Sequence, residues 1–478
     1  MMKKVELVFV PASGFSHLVP TIEFAKRLIH QDDRFSITIL IMKHLLEPNS
    51  ITYLPSIAAT EPCIKLIDLP QADPPSPELS KYPETYFCTS IDNYKPHVKR
   101  VVAELVDQSL SNSSSVRIAG LVLDFFTAPM VEVGDEFGIP SYLFITTSAA
   151  FLGLMLYLLA RHDDRVDAEL EDSGPEWAIP SLVNPVPIEV LPTPLFTKED
   201  GYAATMKLVK RFKDVKGIIV NTFMEMESYA LNSFLDGETP PVYPVGPVVS
   251  LTSGAHLSPN GVPYKHIMTW LDDQPASSVV FLSFGSMGSL SEPQVREIAF
   301  GLLNGNFRFL WSLRVPQQKE KEKRLGPNDN MEDFLPEGFL ERTSGHGIIC
   351  EWIPQVEVLA HKAIGGFVSH CGWNSILESL WFGIPIVTWP LFAEQQLNAF
   401  KLVKELGLAV EMKLEYRNGD HLVLQDEVEK AIRCVMEGNS DVRRRVKEMG
   451  ESSRKAVIDG GSSYTSLGLL IEDMVGNV

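Results

Sequence analysis

The sequence predicts an α/β protein with two doubly wound domains, each built on a parallel sheet that helices cover on both sides. Short β-branched runs alternate with helical patterns in the first half of the chain and again in the second. A stretch dense in Pro, Gly and Ser at 240–265 interrupts this alternation and is typical of a linker. At 478 residues the chain is also too long for one ordinary hydrophobic core.

Apolar runs at regular intervals predict the strands of both sheets. They lie at 5–10, 36–41, 63–69, 119–124, 140–146 and 217–222 in the first half, and at 279–284, 307–314, 347–353, 365–370 and 385–390 in the second. Leu18, Ile22 and Ala25 repeat at helical spacing between the first two strands. They predict an amphipathic helix over 17–30. Ligands of open α/β sheets bind at the carboxyl ends of strands, so functional residues are expected there, along a cleft between the two domains.

Charge, cysteine usage and the first residues narrow the class of protein. A net charge of −19 argues against nucleic acid, whose phosphate backbone attracts a basic surface. Five cysteines without a C-x-x-C pair suit reduced thiols in the cytosol. The apolar run after Lys4 is short, contains Glu6 and precedes no A-x-A-like cleavage site, and no run reaches the ~18 apolar residues of a membrane span. We therefore expect an unprocessed, soluble, cytoplasmic protein.

A strand running into a helix in the second half is a candidate phosphate site. "GGFVSH" leads into "CGWNSILESLWFG", so the strand is expected to end at His370, a glycine to allow a tight turn, and a helix to begin near Asn374 and Ser375. A helix N-terminus offers N–H groups and a positive dipole end to a diphosphate. The alternative is an ordinary helix cap, for which Asn and Ser are also preferred. Zinc is rejected, because no further ligands lie at usable spacing from His370 and Cys371.

A second strand-to-turn junction is "SFGSMGS" (283–289). It is neither G-x-G-x-x-G nor a Walker sequence, which argues against dinucleotide-binding and ATPase interpretations. Ser286 is a candidate donor to phosphate, and a serine that only stabilises the turn is an equal alternative.

The longer stretch from Trp352 to Gln395 resembles the signature box of the plant UDP-dependent glycosyltransferases of secondary metabolism, family 1. W-x-P-Q, H-C-G-W-N-S, E-S, G-x-P and E-Q follow one another with the order and spacing of that box over 44 positions. The rest of the chain, from "PASGFSHLVP" (11–20) onward, is similar to the same family. It is most similar to the branch that acts on flavonoids, other phenolics and terpenoids.

The resemblance implies a GT-B-like fold, with two Rossmann-like domains facing a cleft. We expect an acceptor-binding domain at 1–245, a linker at 246–265 and a UDP-sugar-binding domain at 266–458. Residues 459–478 are expected to form a C-terminal helix that packs back on the N-terminal domain.

The residues of the box acquire roles from the resemblance. Trp352 is implied to stack on uracil, Gln355 to reach the uridine ribose or base, and Glu378 to bind ribose hydroxyls. The diphosphate contacts are the residues already identified, His370, Asn374 and Ser375.

Sugar hydroxyls are implied to contact Glu394 and Gln395, together with the backbone of Trp373. In this family a Gln at the last position of the box goes with UDP-glucose and a His with UDP-galactose, so Gln395 favours glucose. Another UDP-sugar is the alternative. Thr146 is a further candidate contact to glucose, although Thr147 and Ser148 compete with it.

His17 and Asp124 are the candidate catalytic pair. One follows and the other ends a predicted parallel strand, so the two can meet at one edge of the sheet. A carboxylate behind a histidine fixes its tautomer and stabilises the imidazolium, which suits a general base near neutral pH. Taken alone, each would more often be a structural residue. The resemblance puts His17 at the position of the family's base.

The implied reaction is a direct displacement with inversion at the sugar. His17 removes the proton of an acceptor hydroxyl, whose oxygen attacks C1 of the α-linked glucose and gives a β-glucoside. The helix N-terminus, His370 and backbone N–H groups stabilise the leaving diphosphate. The family uses no bound metal or cofactor, so UDP-glucose is expected as co-substrate and a small molecule as acceptor. We expect a monomer.

The sequence departs from the family ahead of the base. Ser13 and Ser16 replace the Pro and the second Gly of P-G-x-G-H. Gly14 remains, so a turn is expected there, while the hydroxyl and Cβ of Ser16 are expected to narrow the approach of the acceptor. Ile353 replaces a commoner Ala or Val.

Other classes lack their motifs. An NAD-dependent oxidoreductase should show G-x-G-x-x-G and a serine hydrolase G-x-S-x-G, and neither is present. A non-catalytic sugar-nucleotide-binding protein would keep the box without the base, so His17 with Asp124 is the discriminating feature. The acceptor pocket is expected in loops such as 72–95 and 176–200. The apolar residues at 191–196 suit a bulky aglycone or a core equally.

Overall fold

The structure is a computed structural model that describes residues 4–45, 54, 61–111, 116–164, 174–251, 264–314, 331–351, 353–412, 422–438 and 440–477. The chain divides into two compact units. The N-terminal unit comprises Met1–Ile188, Thr193–Ser250 and Ser453–Val478, and the C-terminal unit comprises Glu189–Pro192 and Leu251–Ser452.

The N-terminal unit is built on a seven-stranded parallel sheet and a separate two-stranded antiparallel ribbon. Its strands are β1 (Val5–Val10), β2 (Phe35–Ile41), β3 (Ile64–Asp68), β4 (Arg117–Asp124), β5 (Ser141–Ile145), β6 (Glu176–Trp177), β7 (Val186–Pro187), β8 (Gly217–Val220) and β9 (Val242–Pro244). The sheet order is β3-β2-β1-β4-β5-β8-β9, with every neighbouring pair parallel. The central strands are almost entirely apolar because helices bury both faces.

Helices connect these strands. They are α1 (Phe15–Gln31), α2 (Pro83–Asp92), α3 (Lys95–Ser111), α4 (Val131–Phe137), α5 (Ala149–Asp164), α6 (Ala203–Val209) and α7 (Met224–Asn232). Leu18, Ile22 and Ala25 of α1 lie in the same buried core as the β1 side chains, which confirms the amphipathic helix. The helix begins at Phe15, two residues earlier than predicted, because the Gly14 carbonyl accepts the N–H groups of its first turn.

The C-terminal unit repeats the same topology with six strands. They are β10 (Val279–Ser283), β11 (Arg308–Ser312), β12 (Gly347–Cys350), β13 (Ile364–Ser369), β14 (Ile386–Thr388) and β15 (Ala409–Glu411). The order is β12-β11-β10-β13-β14-β15, again with every neighbouring pair parallel. Its helices are α8 (Tyr264–Asp272), α9 (Glu292–Asn304), α10 (Phe339–Arg342), α11 (Gln355–Leu359), α12 (Trp373–Phe382), α13 (Gln395–Phe400) and α14 (Gln425–Met436).

Two helices end the chain, α15 (Asp441–Ala456) and α16 (Ser462–Val475). The boundary between the units falls within α15, and α16 belongs to the N-terminal unit. Leu467, Leu470 and Met474 of α16 join the core that contains β1 and α1. The Tyr142 hydroxyl on β5 donates to the Asp473 carboxylate over 2.6 Å. Apolar burial and this polar bond together fix α16 against the N-terminal sheet.

Shorter helical segments occur between the main elements. They are 3₁₀ turns at Lys43–Leu45, Pro77–Lys81, Phe125–Met130, Ile188–Val190, Thr193–Phe196 and Met331–Phe334, and π-helical turns at Lys198–Tyr202 and Lys401–Glu405. No helix among the described residues is both long and apolar enough to cross a membrane.

The strands that the sequence did not predict are among the shortest in the structure. β9 lies in the Pro-rich stretch predicted as linker, and Pro244 is tolerated because β9 is an edge strand. The unit continues to Ser250, with Val245 and Val248 buried, so the first part of the predicted 246–265 linker is packed. Residues 252–263 lie outside the described part of the chain. β15, of three residues, lies at the edge of the other sheet.

Both sheets place a topological switch between their two central strands. The chain leaves β1 toward β2 on one side and returns to β4 on the other, and the pair β10 and β13 repeats this arrangement. Open α/β sheets bind ligands beyond the carboxyl ends of such strands. The predicted α/β class with two doubly wound parallel sheets is confirmed. Ligand-binding residues are therefore expected directly after these four strands.

Candidate functional site

The switch point of the N-terminal unit brings His17 and Asp124 together. β1 and β4 are neighbours, with Val10 paired to Leu123 at their carboxyl ends. Asp124 ends β4, and His17 lies in the first turn of the helix that follows β1. The His17 Nδ1 and Asp124 Oδ2 atoms are 2.8 Å apart, across 107 residues of sequence.

The Asp124 carboxylate is fixed in place by its neighbours. The residue is 1% exposed, and its Oδ1 accepts the Phe126 N–H over 3.0 Å. The Asp124 N–H donates to the Thr127 hydroxyl over 2.8 Å, and that hydroxyl donates to the Val10 carbonyl over 2.7 Å. This capping box orients Oδ2 toward the imidazole and ties the end of β4 to the end of β1.

Thr146 also lies beside the histidine. Its hydroxyl oxygen, just beyond β5, is 3.2 Å from His17 Nδ1. With the Nδ1–H donated to Asp124, the neutral ring carries its lone pair on Nε2. The structure thus places Thr146 against the histidine, and its contact with a sugar stays a prediction.

An aromatic cluster lies on one side of this histidine, and the sequence did not predict it. The Phe126 ring meets the His17 ring edge-on at 5.2 Å and the Phe87 ring at 5.1 Å. Phe125 contacts Phe126 at 5.0 Å and Phe151 at 5.6 Å. Phe87 remains 37% exposed. The two phenylalanines directly after Asp124 in "LVLDFFTAPM" were the available signal.

The chain bends at residues 13–14, between β1 and α1, as predicted, but the bend does not require glycine. The φ of Gly14, −70°, is open to any residue, and a Cβ there would make only ordinary contacts, the nearest 3.6 Å from the His17 ring. Gly14 is also the residue that caps α1. Ser13 is buried, and Ser16 is an exposed residue of the first helical turn.

At the switch point of the C-terminal unit, His370 follows β13 and lies between two glycines. A Cβ at Gly285, after β10, would lie 2.6 Å from His370 Nε2, and one at Gly372 would lie 2.5 Å from it. Both distances are far inside van der Waals contact, so only glycine allows this ring position. The left-handed residue of the turn is Cys371, with φ +63°, whereas Gly372 has φ −62°. The glycine predicted for the tight turn is therefore needed for space and not for its dihedral angles.

Burial decides the charge of His370. The loss of water around the ring lowers its pKa to about 4, while the nearby Ser283 carbonyl opposes this shift. The imidazole is therefore neutral at neutral pH and offers a ligand a neutral N–H or lone pair.

The helix α12 begins directly after this turn. Gly372 caps it, Trp373 is its first residue, and Asn374 and Ser375 lie in its first turn. Ser375 is buried, and the Gly372 carbonyl accepts the N–H of Ile376 over 3.1 Å. The first N–H groups of this ten-residue helix point back toward the end of β13, as an anion site requires.

Gln355 joins two of the predicted ligand residues. Its Nε2, at the start of α11, donates to the Ser375 hydroxyl over 2.8 Å and to the Glu378 carboxylate over 2.6 Å. Burial raises the pKa of Glu378 to about 7, the Gln355 hydrogen bond opposes this, and the charge of Glu357 adds to it. The structure thus gives the Gln355 nitrogen protein partners and leaves its oxygen as the atom able to accept from a ligand.

Gln395 has the opposite orientation. Its Oε1 accepts the N–H groups of Leu391, over 2.9 Å, and Phe392, over 3.1 Å. These bonds close a turn in which Ala393 has a left-handed φ of +56°. Because the oxygen accepts both bonds, Nε2 is the part of the amide able to donate to a ligand. Glu394 is half-buried and immediately precedes α13.

Two predicted residues remain. Trp352 lies outside the described residues. Ser286 is exposed in the turn directly after Gly285, the glycine next to the His370 ring, and its contact with phosphate stays a prediction. Within the part of the chain that the structure describes, no group of three or more His, Cys, Asp or Glu side chains is arranged to hold a metal ion.

Comparison with known proteins identifies the family of this chain. A sequence model of the family described as "UDP-glucoronosyl and UDP-glucosyl transferase" matches residues 200–444. UDP-glycosyltransferase 71K1 of Malus domestica is 52% identical over 483 residues, covering 99% of this chain and 100% of that protein. Flavonol 3-O-glucosyltransferase UGT71C4 of Arabidopsis thaliana is 47% identical over 483 residues, covering 99% of this chain and 98% of its own length.

A solved structure agrees as well. The crystal structure of Medicago truncatula UGT71G1 complexed with UDP-glucose has a TM-score of 0.89 and 46% identity, with 99% of each chain covered. The predicted GT-B-like class, with two Rossmann-like domains, is thereby confirmed. This chain belongs to the family of UDP-glucuronosyl and UDP-glucosyl transferases, and is a UDP-dependent glycosyltransferase of the plant type.

Proposed function

We propose that this enzyme transfers glucose from UDP-glucose to a hydroxyl of a small apolar plant metabolite, a flavonoid, another phenolic or a terpenoid, with inversion to a β-glucoside. The observation that carries this proposal is the 2.8 Å contact between His17 Nδ1 and Asp124 Oδ2 at the end of β1. A protein that only bound a sugar nucleotide would not need a histidine oriented by a buried carboxylate.

The proposed base works through both ring nitrogens of His17. Nδ1–H donates to Asp124, so the lone pair lies on Nε2 and can take the proton of an acceptor hydroxyl. The acceptor oxygen then forms a bond to C1 of the glucose while the bond from C1 to the UDP oxygen breaks. Asp124 is held by the Phe126 N–H and by its own N–H bond to Thr127, and stabilises the imidazolium that forms.

In the proposal, the donor is held by the C-terminal unit. The first N–H groups of α12, with His370, Asn374 and Ser375, bind the diphosphate and stabilise it as it leaves. Glu378 binds the ribose hydroxyls, and the Gln355 oxygen accepts from the uridine. Because His370 is neutral, these are dipolar and hydrogen-bonding contacts. We propose that the transfer requires no bound metal, so added EDTA should leave the rate unchanged.

In the proposal, the sugar is recognised by Gln395 and Glu394. The Gln395 oxygen is engaged by the N–H groups of Leu391 and Phe392, so its nitrogen donates to a hydroxyl oxygen of glucose. Glu394 accepts from sugar hydroxyls, the Trp373 backbone completes the contact, and Trp352 stacks on uracil. Glucose as the donor sugar also agrees with the UDP-glucose in the Medicago structure.

The aromatic cluster supports the acceptor class. Phe126 packs edge-on against His17, and the part-exposed Phe87 packs edge-on against Phe126. Aromatic side chains pair with flat rings in edge-to-face or offset-stacked arrangements, so a phenolic ring is the natural partner of this surface. The name of the Arabidopsis relative, a flavonol 3-O-glucosyltransferase, points to the same class.

The test is the formation of a glucoside from UDP-glucose and quercetin, followed by chromatography, with the anomeric configuration read from the H1–H2 coupling in the proton spectrum. We expect a β-linked product. UDP-galactose in place of UDP-glucose tests the sugar, and a terpenoid alcohol tests the acceptor class. An α-linked product would overturn the displacement mechanism.

The role of His17 as the base is tested by one variant and a matched control. His17→Ala should lower the rate roughly 10²- to 10⁴-fold, because general base catalysis contributes that much, with UDP-glucose still bound. His30→Ala removes an exposed histidine from the other end of the same helix and should keep the parent rate. Parent activity in His17→Ala would refute the assignment. A parent protein that binds UDP-glucose and glycosylates nothing would favour the non-catalytic alternative.

A further inference from the structure

We propose that Asn398 is a positioning residue for donor binding, because it holds Cys371 in its left-handed conformation and so fixes the turn that opens the diphosphate site. Asn398 lies on α13, is 1% exposed, and donates from Nδ2 to the Cys371 carbonyl over 3.1 Å. No role was assigned to it from the sequence. The inference rests on the proposed function, in which residues 370–375 hold the diphosphate.

Cys371 is an unfavourable residue for the conformation it adopts. Its φ of +63° brings the Cβ close to a backbone carbonyl, a cost that glycine avoids. Local bonds oppose that cost only in part, since the Cys371 N–H donates to the Ser369 hydroxyl over 3.2 Å and its thiol to the Ser369 carbonyl over 3.4 Å. These two bonds are made to the preceding strand, and the Trp389 backbone bonds to the Cys371 thiol. The bond from Asn398 comes from another element and acts on the carbonyl that leads into α12.

This turn determines where the ligand groups lie. His370 precedes Cys371, and Gly372 follows it as the cap of α12. The His370 ring fits between Gly285 and Gly372 with no room for a Cβ on either. A peptide rotation at Cys371 would therefore move Gly372 against the ring and tilt the first N–H groups of α12. A small backbone change at this one residue disturbs both kinds of phosphate contact.

The polarity of Asn398 supports a positioning role over simple packing. Its Oδ1 is buried and has no hydrogen-bond partner among the described residues. A buried acceptor without a partner costs free energy that an apolar side chain of similar volume would avoid. The amide is therefore explained by what its nitrogen does, which is to hold the Cys371 carbonyl.

The experiment combines Asn398 with Cys371. Binding of UDP is measured by calorimetry, without acceptor, in the parent, Asn398→Ala, Cys371→Gly and the double variant. Asn398→Ala should raise the Kd for UDP about tenfold. In the Cys371→Gly background, where the left-handed conformation costs nothing, the same substitution should raise it less than about threefold.

Further variants separate this role from general damage to the fold. Asn398→Asp keeps the side-chain volume, removes the donating nitrogen, and should weaken binding at least as much as Asn398→Ala. Asn304→Ala, which removes an exposed amide from α9 of the same unit, should leave the Kd unchanged. If Asn398→Ala does not fold, recovery of a folded, UDP-binding protein in the double variant supports the proposal, and failure to recover overturns it.

Two results would overturn the inference. One is an unchanged Kd in a folded Asn398→Ala or Asn398→Asp. The other is an equal loss of binding with Cys and with Gly at position 371. Because UDP binding needs neither sugar nor acceptor, a failure to form a glucoside counts against the proposed function and leaves these measurements valid.

Discussion

The two units have the same strand order, but the residues that follow their central strands differ in kind. After β1 and β4, a histidine meets a carboxylate, with His17 Nδ1 2.8 Å from Asp124 Oδ2. After β10 and β13, a histidine meets two glycines. A Cβ added at Gly285 would lie only 2.6 Å from His370 Nε2. A switch point in a doubly wound sheet thus provides a place for a ligand, and the two or three residues after each strand decide the chemistry.

The difference follows from what surrounds each imidazole. His17 has the Asp124 side chain 2.8 Å from Nδ1, which in the proposal stabilises the imidazolium during the proton transfer. His370 is enclosed, and burial lowers its pKa to about 4. One position suits a base that changes its charge and the other a neutral contact to an anion. The comparison is tested by removing the carboxylate at the first switch point and by filling the space beside the histidine at the second.

The largest effect is expected from removing the charge at the first switch point. Asp124→Asn keeps the shape and the capping bonds but no longer stabilises an imidazolium, so kcat should fall roughly 10²- to 10⁴-fold. The KM for UDP-glucose should change little, because in the proposal the donor is bound by residues of the C-terminal unit and Asp124 belongs to the N-terminal unit. A kcat within about threefold of the parent would contradict the proposed dyad.

Filling the space at the second switch point should have the next largest effect. Gly285→Ala places a Cβ 2.6 Å from His370 Nε2 at a residue with φ +80°, so the ring must move and UDP should bind about tenfold or more weakly. Gly14→Ala is the matched control in the other unit, where the nearest contact is an ordinary 3.6 Å. Equal effects of the two substitutions, measured by calorimetry with UDP, would show that steric space does not distinguish the two sites.

The two glutamines of the C-terminal unit provide a finer test. Gln355→Glu loses both donated bonds and puts a second carboxylate beside Glu378, so the unfolding free energy should fall by about 1–3 kcal/mol. Gln395→Glu keeps the oxygen that accepts from Leu391 and Phe392, so stability should be nearly unchanged. Its KM for UDP-glucose should still rise several-fold, because the donating nitrogen is lost. Similar loss of stability in both variants, measured in urea, would refute the assigned amide orientations.

The last test is the pH dependence of stability. The pKa of Glu378 is raised to about 7 in the folded protein from an ordinary 4.5, mainly by burial. The folded state therefore keeps a proton that the unfolded chain has lost, and the stability present below pH 4.5 declines as the pH rises through about 7. Glu378→Gln should remove this decline, seen as urea midpoints of parent and variant compared from pH 4.5 to 8. Parallel profiles would contradict the raised pKa.

Several parts of the fold and site could be predicted because local sequence encodes them. The apolar runs gave the central strands nearly residue by residue, since burial on both faces demands continuous apolar sequence. His17 and Asp124 could be brought together because both lie at strand ends. Short edge strands such as β9 and β15 could not be found, because three residues carry too little periodicity and an edge tolerates Pro.

The conformations of the turns could not be predicted from residue type. Gly14 lies in the predicted bend with a φ that any residue can adopt, while the left-handed position after β13 belongs to Cys371 and not to the adjacent glycine. Glycine permits a dihedral angle or a close approach, and only the surrounding atoms show which of the two is used.

The sequence by itself predicted the α/β class, the signature box of the family and the residues at each strand end, because these depend on local pattern and spacing. Only the tertiary structure decided how those residues act on one another. Gln355 faces Glu378, Gln395 turns its oxygen inward, and Asn398 holds Cys371, through bonds that span 23, 4 and 27 residues. The physical reason is that the direction of a hydrogen bond depends on packed neighbours, which the sequence brings together only when the chain folds.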